Sequence, residues 1–372
     1  MNKLFVQFYV EQPKSVTLNK SMTYCHNGFS SAGDLVDPIW VNSATRLSDG
    51  EKRLFAQQNE IYVSLWSSQE LNRVLIWADQ FPWIKFFVGG PLAPWLIRTE
   101  DFPNSVQLCT GLVEDVLGVD YDPKRWKCIL PHTSTEMRIY SFYSGTTCYW
   151  GKCTFCSTHI KGSKAHLDRP YDLSRLESAP AGTIFLTNPS MSPKDLECLP
   201  TLNCEDKVYL FYAASNTDTY AALEQMLPKI TKPAAYVARI GVEFPSEKML
   251  RLMNKNSTLD ILIKFINLLD AYGVRKHLTY ISGWPETTRE DVEEAKKFFD
   301  ALNDKDDERT IHAVNRLHFP LDKPYIDKER KQLIYCYYPS LPEDVQKLDD
   351  EYVALFKNRK GGVSYNPAYP LW

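Results

Sequence analysis

An alternation of strand and helix patterns over residues 135–318 limits the fold of this 372-residue chain more than any other feature. Six short apolar segments are typical of strands: 137–143, 183–187, 208–212, 235–241, 278–283 and 311–319. Helical patterns lie between them, and the longest carries Leu259, Leu262, Ile266 and Leu269 on one face before ending at Gly273. A repeated strand–helix order predicts a parallel sheet. We therefore expect a partial (β/α)6 TIM-like barrel whose working face lies at the carboxyl ends of its strands.

Three cysteines, Cys148, Cys153 and Cys156, follow the first of these strands at C-x4-C-x2-C spacing. Cysteine thiolates are the usual ligands of iron–sulfur clusters, and three ligands would leave the fourth iron of a [4Fe–4S] cube open. A zinc site is the first alternative, and His159 would then supply the fourth ligand. Three unrelated buried thiols are the second. A loop that follows a barrel strand lies on the working face, which argues against buried thiols.

The overall composition restricts the partners and the compartment. The formal net charge of −3 argues against general electrostatic binding to nucleic acid. No apolar run approaches the length of a membrane span, so we expect no membrane partner. The nine cysteines are an odd number and do not resemble a secreted disulfide framework, which favours a cytoplasmic protein. Six of them show no metal-binding spacing: Cys25, Cys109, Cys128, Cys198, Cys204 and Cys336.

Residues 1–134 are predicted to form a smaller, Rossmann-like α/β domain. Its candidate strands are 4–10, 61–66, 84–88 and a weaker 106–109, with a helical pattern at 71–81. Ser48 and Glu51 have the spacing of a capping box, which predicts a further helix start. The third strand ends in Gly89-Gly90-Pro91, which fits either a ligand-binding turn or a plain one. Residues 319–372 form a C-terminal extension with a helical pattern at 343–356 and a tail, 361–367, that is predicted to be irregular.

Several segments of the middle region resemble the radical S-adenosylmethionine (SAM) enzymes. Residues 139–156 are similar to that family's first barrel strand and cluster loop, including an aromatic residue, Phe155, before the last cysteine. Residues 239–255 resemble its fourth strand and following helix, and 281–291 its "G-x-P-x-E-T" segment. The cysteine spacing departs from the common C-x3-C-x2-C by one residue. The resemblance covers about half of the chain.

This resemblance implies a cofactor set and a reaction type. Cys148, Cys153 and Cys156 would hold a [4Fe–4S] cluster, and SAM would chelate its open iron. An electron donor such as flavodoxin or ferredoxin would reduce the cluster, and cleavage of SAM would give a 5′-deoxyadenosyl radical that abstracts hydrogen from the substrate. For Arg239 and Glu243 a structural ion pair in the barrel is the alternative. The residues that the resemblance assigns to SAM binding are Phe155, Asn188, Ser190, Ser215, Arg239 and Glu243.

The N-terminal region is similar, more loosely, to the cobalamin-binding domain fused to many of these enzymes. Residues 88–91 and 110–114 stand where that domain has its "GGP" and "GEGE"-like turns. The chain lacks the Asp-x-His-x-x-Gly segment whose histidine ligates cobalt, and His26 is the one histidine before residue 132. Some cobalamin-dependent members of the family also lack this segment, so the resemblance leaves cobalamin as a candidate cofactor. The alternative is a domain kept for structure or substrate binding.

The reaction itself is left open among three outcomes. Rearrangement or isomerisation of the substrate is the preferred one, with cobalamin-dependent methyl transfer and modification of a peptide as alternatives. Beside the cysteines, the basic segment 159–169 fits either a solvated loop or a phosphate contact, so an amino-acid-modified thymidine in phage DNA is a candidate substrate. A non-catalytic zinc or nucleic-acid-binding protein is the alternative from another functional class.

Overall fold

The computed structural model describes residues 3–12, 22–25, 29, 35–65, 67–90, 93–96, 99, 101–109, 113–120, 137–142, 148, 150–156, 176, 179, 181–302, 309–357 and 362–366. Its strands are β1 (Lys3–Gln12), β2 (Met22–Cys25), β3 (Ile39–Asn42), β4 (Glu60–Ser64), β5 (Lys85–Gly89), β6 (Val106–Leu108), β7 (Met137–Phe142), β8 (Gly182–Met191), β9 (Lys207–Ala213), β10 (Tyr236–Glu243), β11 (Arg275–Ser282), β12 (Thr310–Arg316), β13 (Phe319–Asp327), β14 (Gln332–Tyr337) and β15 (Gly362–Asn366). Its helices are α1 (Asp49–Ala56), α2 (Ser68–Gln80), α3 (Ala93–Leu96), α4 (Val113–Leu117), α5 (Pro193–Leu196), α6 (Thr217–Met226), α7 (Glu247–Leu252), α8 (Leu259–Ala271), α9 (Arg289–Ala301) and α10 (Glu343–Ala354). No helix in these ranges is long and apolar enough to cross a membrane.

Strands β7 to β12 lie side by side in chain order, and each runs parallel to the next. They form a curled half-barrel, so the predicted partial barrel is confirmed. Side chains alternate between its two faces because a strand has a period of two. The outward residues, such as Tyr209, Ala238 and Leu278, are at most 1% exposed. The inward residues of β9 are half-buried, as expected for a strand facing the interior of an open barrel.

The C-terminal tail continues this sheet and corrects the prediction of an irregular segment. Strand β15 pairs in parallel with β12, with Gly362 opposite Ile311 and Asn366 opposite Asn315. A five-residue segment at a Gly-Gly pair is too short to show the alternation of apolar and polar residues that predicts a strand. It forms a strand because it pairs with β12. The predicted strand 311–319 also proves to be two elements, because β12 ends at Arg316 and β13 begins at Phe319.

The N-terminal region has the predicted parallel strands. Strands β1, β4, β5 and β6 pair in that order, and the capping box of Ser48 and Glu51 begins α1. Two short strands were not predicted, and β2 is the more consequential. It pairs antiparallel with β1 and parallel with β7, so that one sheet runs through both regions. The domain division into 1–134, 135–318 and 319–372 stays a prediction.

The hairpin β13–β14 connects the C-terminal extension to the N-terminal region. Ile326 and Leu333 pack into the core formed by β1, β4, β5 and α2. The backbone N–H of Leu333 donates to Asn72 Oδ1 at 2.9 Å, and Lys331 pairs with Asp79 at 3.1 Å. The extension therefore contacts the N-terminal region through this hairpin and the half-barrel through β15.

Candidate functional site

The cysteine loop, residues 148–156, follows β7 and docks on the turn after α7. The indole Nε1 of Trp150 donates to the Asn254 carbonyl at 2.8 Å. The backbone N–H of Thr154 donates to the Met253 carbonyl at 3.0 Å, and Asn254 Nδ2 donates to the Lys152 carbonyl at 3.0 Å. The loop both donates hydrogen bonds to this turn and accepts one from it. These bonds hold the loop against α7, the helix that follows the fourth barrel strand.

The end of α7 explains why the chain presents these groups to the loop. Asn254 has a left-handed φ of 52°, its N–H bonds to the Arg251 carbonyl, and the Lys255 N–H bonds to the Leu250 carbonyl. This pair of bonds is a Schellman motif, in which asparagine is one of the few residues other than glycine that accept the left-handed position. The motif turns the chain so that Asn254 contacts the cysteine loop and Lys255 enters the site.

Lys255 forms a buried ion pair with Glu243 at the end of β10. The Lys255 Nζ lies 2.7 Å from Glu243 Oε1, and the two side chains are only 11% and 10% exposed. Glu243 has a φ of 65°, and the β10–β11 register shifts between Gly241 and Glu243. Such a bulge redirects a side chain at the end of a strand. It places the Glu243 carboxylate at the edge where the cysteine loop docks.

Gly241 leaves the space that this ion pair occupies. A Cβ at this position would lie 2.6 Å from Lys255 Nζ and closer still to Glu243 Oε1. The Ser215 hydroxyl also donates to the Gly241 carbonyl at 3.3 Å. The structure therefore brings together two residues assigned to SAM binding, Ser215 and Glu243, around one glycine.

The electrostatics of the loop connect the ion pair to the cysteines. Burial raises the pKa of Cys153 to about 12, Lys255 opposes that rise, and the charges of Cys156, Glu243 and Cys148 add to it. Burial alone would lower the pKa of Lys255, but Glu243 and the two nearby cysteines raise it overall. A buried thiol with such a pKa stays protonated in water at neutral pH, and a bound metal displaces the proton. Cys153 and Cys156 thus lie within electrostatic range of Lys255.

Among the residues that the structure describes, no three His, Cys, Asp or Glu side chains converge on one metal-ion position. Such convergence is what a single zinc ion needs from its ligands. In a [4Fe–4S] cube each cysteine binds a different iron, so its ligands surround a cluster rather than a point. His159, the proposed fourth zinc ligand, and the basic segment 159–169 lie outside the described residues.

The remaining residues assigned to SAM occupy the same edge or the strands below it. Phe155 packs edge-on against Trp284, which follows β11, with ring centroids 5.9 Å apart. Ser190, in β8, is 5% exposed, and its hydroxyl has no hydrogen-bond partner among the described residues. Asn188 belongs to β8, but its side chain lies outside what the structure describes. Arg239 sits lower on β10, where its guanidinium lies 4.8 Å from the centre of the Tyr212 ring.

Glu243 does take part in a buried ion pair, with Lys255 as its partner. Arg239 stacks on the Tyr212 ring on the inner face of the sheet. Lys255 is the residue of the site that sequence reasoning missed. It stands directly after the helix of the resembling segment 239–255, and its place at the end of that segment was the available signal.

Helix α10 of the C-terminal extension braces the strand ends that carry the site. The Tyr352 hydroxyl donates to the Glu243 carbonyl at 3.0 Å, and its ring stacks on Phe244 at 4.0 Å. Asp349 accepts a hydrogen bond from the Gly283 N–H at 2.6 Å, where Gly283 has a φ of 84°. Burial raises the pKa of Asp349, although the Gly283 N–H and Arg316 act in the opposite direction. The backbone positions of Glu243 and Gly283 therefore depend on α10.

Tyr352→Phe is expected to lower the free energy of unfolding by about 1 kcal/mol. It removes the hydrogen bond to Glu243 and keeps the aromatic packing. Urea unfolding measures the change. Tyr337→Phe is the matched control, because Tyr337 is 53% exposed and should tolerate the loss of its hydroxyl. Equal effects of the two substitutions would show that α10 does not brace β10 through this bond.

In the N-terminal region, the Gly-Gly-Pro turn has an internal explanation. Gly90 has a φ of 89°, and a Cβ there would lie 2.7 Å from both the Leu65 carbonyl and Ser64 Oγ. The close approach of β4 therefore already requires glycine at this position. Of the second turn, 110–114, residues 110–112 lie outside the described residues, as does His26.

No family model and no curated protein sequence matches this chain. Several solved structures do match it. The cobalamin-dependent SAM radical enzyme OxsB, with aqua-cobalamin and SAM bound, is 13% identical with a TM-score of 0.53; the match covers 98% of this chain and 58% of OxsB. The chain thus spans less than two thirds of that enzyme's length.

A second similar structure has nearly the same extent as this chain. It is the radical SAM methyltransferase TsrM from Kitasatospora setae, with cobalamin and a [4Fe–4S] cluster bound. TsrM is 10% identical, with a TM-score of 0.57 over 98% of this chain and 91% of its own. A further TsrM structure, with tryptophan and a SAM analogue bound, also gives 0.57. At such identities the likeness shows a common fold, a Rossmann-like region followed by a half-barrel, in which TsrM and OxsB bind their cofactors.

Proposed function

We propose that this chain is a radical SAM enzyme that cleaves SAM reductively and abstracts hydrogen from a substrate C–H bond. The observation that carries the proposal is the position of the cysteine loop. In a fold shared with OxsB and TsrM, three cysteines follow the first half-barrel strand and are held beside a buried Glu243–Lys255 pair. A plain scaffold protein has no need of three thiols and a buried ion pair at one edge.

The donor set fits the cofactors. Cys148, Cys153 and Cys156 would hold a [4Fe–4S] cluster, because three thiolates from one loop leave one iron open. Lys255 lowers the cost of placing negative sulfurs there, since its charge acts on Cys153 and Cys156. When bound, the cluster and SAM together supply the 5′-deoxyadenosyl radical that attacks the substrate.

The chain's own residues would orient SAM and exclude water. The Ser190 hydroxyl is buried with no described partner and is available to a ligand's polar group. Phe155 and Trp284 form an apolar wall beside the cysteines. Asn188, Ser215, Arg239 and Glu243 complete the proposed SAM contacts, and a donor such as flavodoxin or ferredoxin would deliver the electron. The proposed location is the cytoplasm.

We propose rearrangement or isomerisation of the substrate as the reaction, with an amino-acid-modified thymidine in phage DNA as a candidate substrate. The absence of an Asp-x-His-x-x-Gly segment favours it over chemistry at cobalt. Cobalamin-dependent methyl transfer is the second candidate, favoured by the cobalamin bound in OxsB and TsrM and by the match over the N-terminal region.

Product analysis distinguishes these reactions. Protein reconstituted anaerobically with iron and sulfide is incubated with SAM, a reductant and the modified DNA, with and without cobalamin. Isomerisation predicts 5′-deoxyadenosine and a product of unchanged mass. Methyl transfer predicts S-adenosylhomocysteine, a product heavier by one methylene, and dependence on cobalamin. A protein that binds one zinc, retains no iron and converts no SAM would support the non-catalytic alternative.

A further inference from the structure

The strands that form the inner face of the half-barrel carry basic side chains and almost no carboxylates. Strands β9, β10, β11 and β12 contain no Asp or Glu except Glu243. That carboxylate is already paired with Lys255. The same strands place Arg239, Arg275 and His277 on the inner face.

The register fixes this orientation. Lys276 is fully buried on the outer face, where it pairs with Asp270 of α8. Arg275 and His277, its neighbours along β11, must therefore point inward. Both are half-buried, whereas the inward Thr279 and Ile281 are buried, so the inner face borders open space around the first residues of β11. His277 is directly opposite Arg239 on β10.

Polar atoms on this face are buried and have no hydrogen-bond partner among the described residues. They include Arg275 Nε, His277 Nε2 and Asn315 Oδ1. Burial lowers the pKa of Arg275, and no carboxylate of the described residues acts against it. Burial, Arg239 and His312 together lower the pKa of His277. Unpaired buried donors and an unneutralised cation cost free energy, and a bound anion offsets that cost.

We infer that the interior of the half-barrel is a binding site for an oxyanion of the substrate, held by Arg275 and His277. Arginine matches the geometry of carboxylate and phosphate oxygens, and an imidazole can donate beside it. Glu243 lies opposite Tyr280 in the register of β10 and β11, and His277 is three residues before Tyr280. The anion would therefore lie about 10 Å below the ion pair. Asn315, at the level of Ile281, would contact the part of the substrate nearer the rim.

This inference rests on the proposed function for its identification of the anion as part of a substrate. The shared chemistry is an oxyanion, which a carboxylate or a phosphate ester supplies equally. A substrate that bears one would be elongated, with its reacting carbon near the cysteine loop and its anionic group deep in the barrel.

Histidine-selective ¹³C labelling of the whole protein tests the site directly. Inorganic phosphate and acetate serve as probes, titrated at constant ionic strength against chloride. The His277 ring signal, assigned with His277→Gln, is expected to shift and saturate with at least one probe while the other histidine signals stay unchanged. Stronger binding of phosphate indicates a phosphate ester, and stronger binding of acetate a carboxylate.

Arg275→Gln is expected to weaken this binding by about tenfold or more, because a charged hydrogen-bond partner is lost. Arg330→Gln is the matched control at an exposed position and should bind as the unmodified protein does. A signal that neither probe shifts, or equal binding by the two variants, would overturn the oxyanion site. SAM cleavage measured on the same samples keeps the two ideas separate, since anion binding without cleavage would overturn the proposed function alone.

Discussion

Cys153→Ser should leave a protein that folds but neither retains an iron–sulfur cluster nor cleaves SAM. Cys153 lies at the centre of the cysteine loop and within range of Lys255, Cys148 and Cys156. Serine keeps the shape of the side chain but is a poor ligand for iron. Loss of an outer partner of a metal ligand typically costs 10–100-fold in metal affinity or activity, so loss of a ligand should cost more than about 100-fold.

Iron and sulfide content after anaerobic reconstitution, together with the yield of 5′-deoxyadenosine, measures this effect. Cys204→Ser is the matched control. Cys204 is also half-buried, but its thiol contacts the Tyr236 hydroxyl on the outer layer of the barrel, 3.2 Å away. It should retain iron and cleave SAM. Undiminished iron and SAM cleavage in Cys153→Ser would remove that cysteine from the cluster.

Lys255→Met should both destabilise the protein and impair SAM cleavage. The substitution leaves the Glu243 carboxylate buried without its cation, and breaking a buried pair in this way costs about 3–5 kcal/mol. Lys347→Met is the control, because its pair with Glu343 is largely exposed and should contribute little. Urea unfolding of the metal-free protein compares the two.

The double variant Glu243→Gln/Lys255→Met separates stability from function. With no charge left at the site, most of the lost stability should return. SAM cleavage should not return, because neither the carboxylate proposed to contact SAM nor the cation beside the cysteines is restored. Recovery of both stability and SAM cleavage would show that the ion pair has only a structural role at the end of β10. Failure to recover stability would show that the carboxylate was not the source of the destabilisation.

The sequence predicted the elements whose periodicity is local. Helix α8 repeats its apolar residues over three turns and ends before Gly273, and the structure has it at Leu259–Ala271. The βα alternation likewise predicted the parallel order of β7 to β12. The cysteines come directly after the first barrel strand. Because the strands are parallel, this position alone predicted that the cysteines lie at the carboxyl ends of the strands.

Features that arise from contacts distant in sequence could not be predicted in this way. Strand β15 exists through its pairing with β12, and β2 through its pairing with β1 and β7. The role of Lys255 depends on a Schellman turn and on a bulge at Glu243, each of which needs the other to bring the two charges together. The brace from Tyr352 to Glu243 spans 109 residues. None of these leaves a periodic pattern.

Mössbauer spectroscopy of protein reconstituted with ⁵⁷Fe tests the central claim most directly, namely that three cysteines of one loop hold a cluster with one iron open to SAM. The proposed site predicts a [4Fe–4S] spectrum in which one iron differs from the other three, and whose signal changes when SAM is added. A cluster of four equivalent irons that does not respond to SAM, or protein that assembles no cluster, would contradict it.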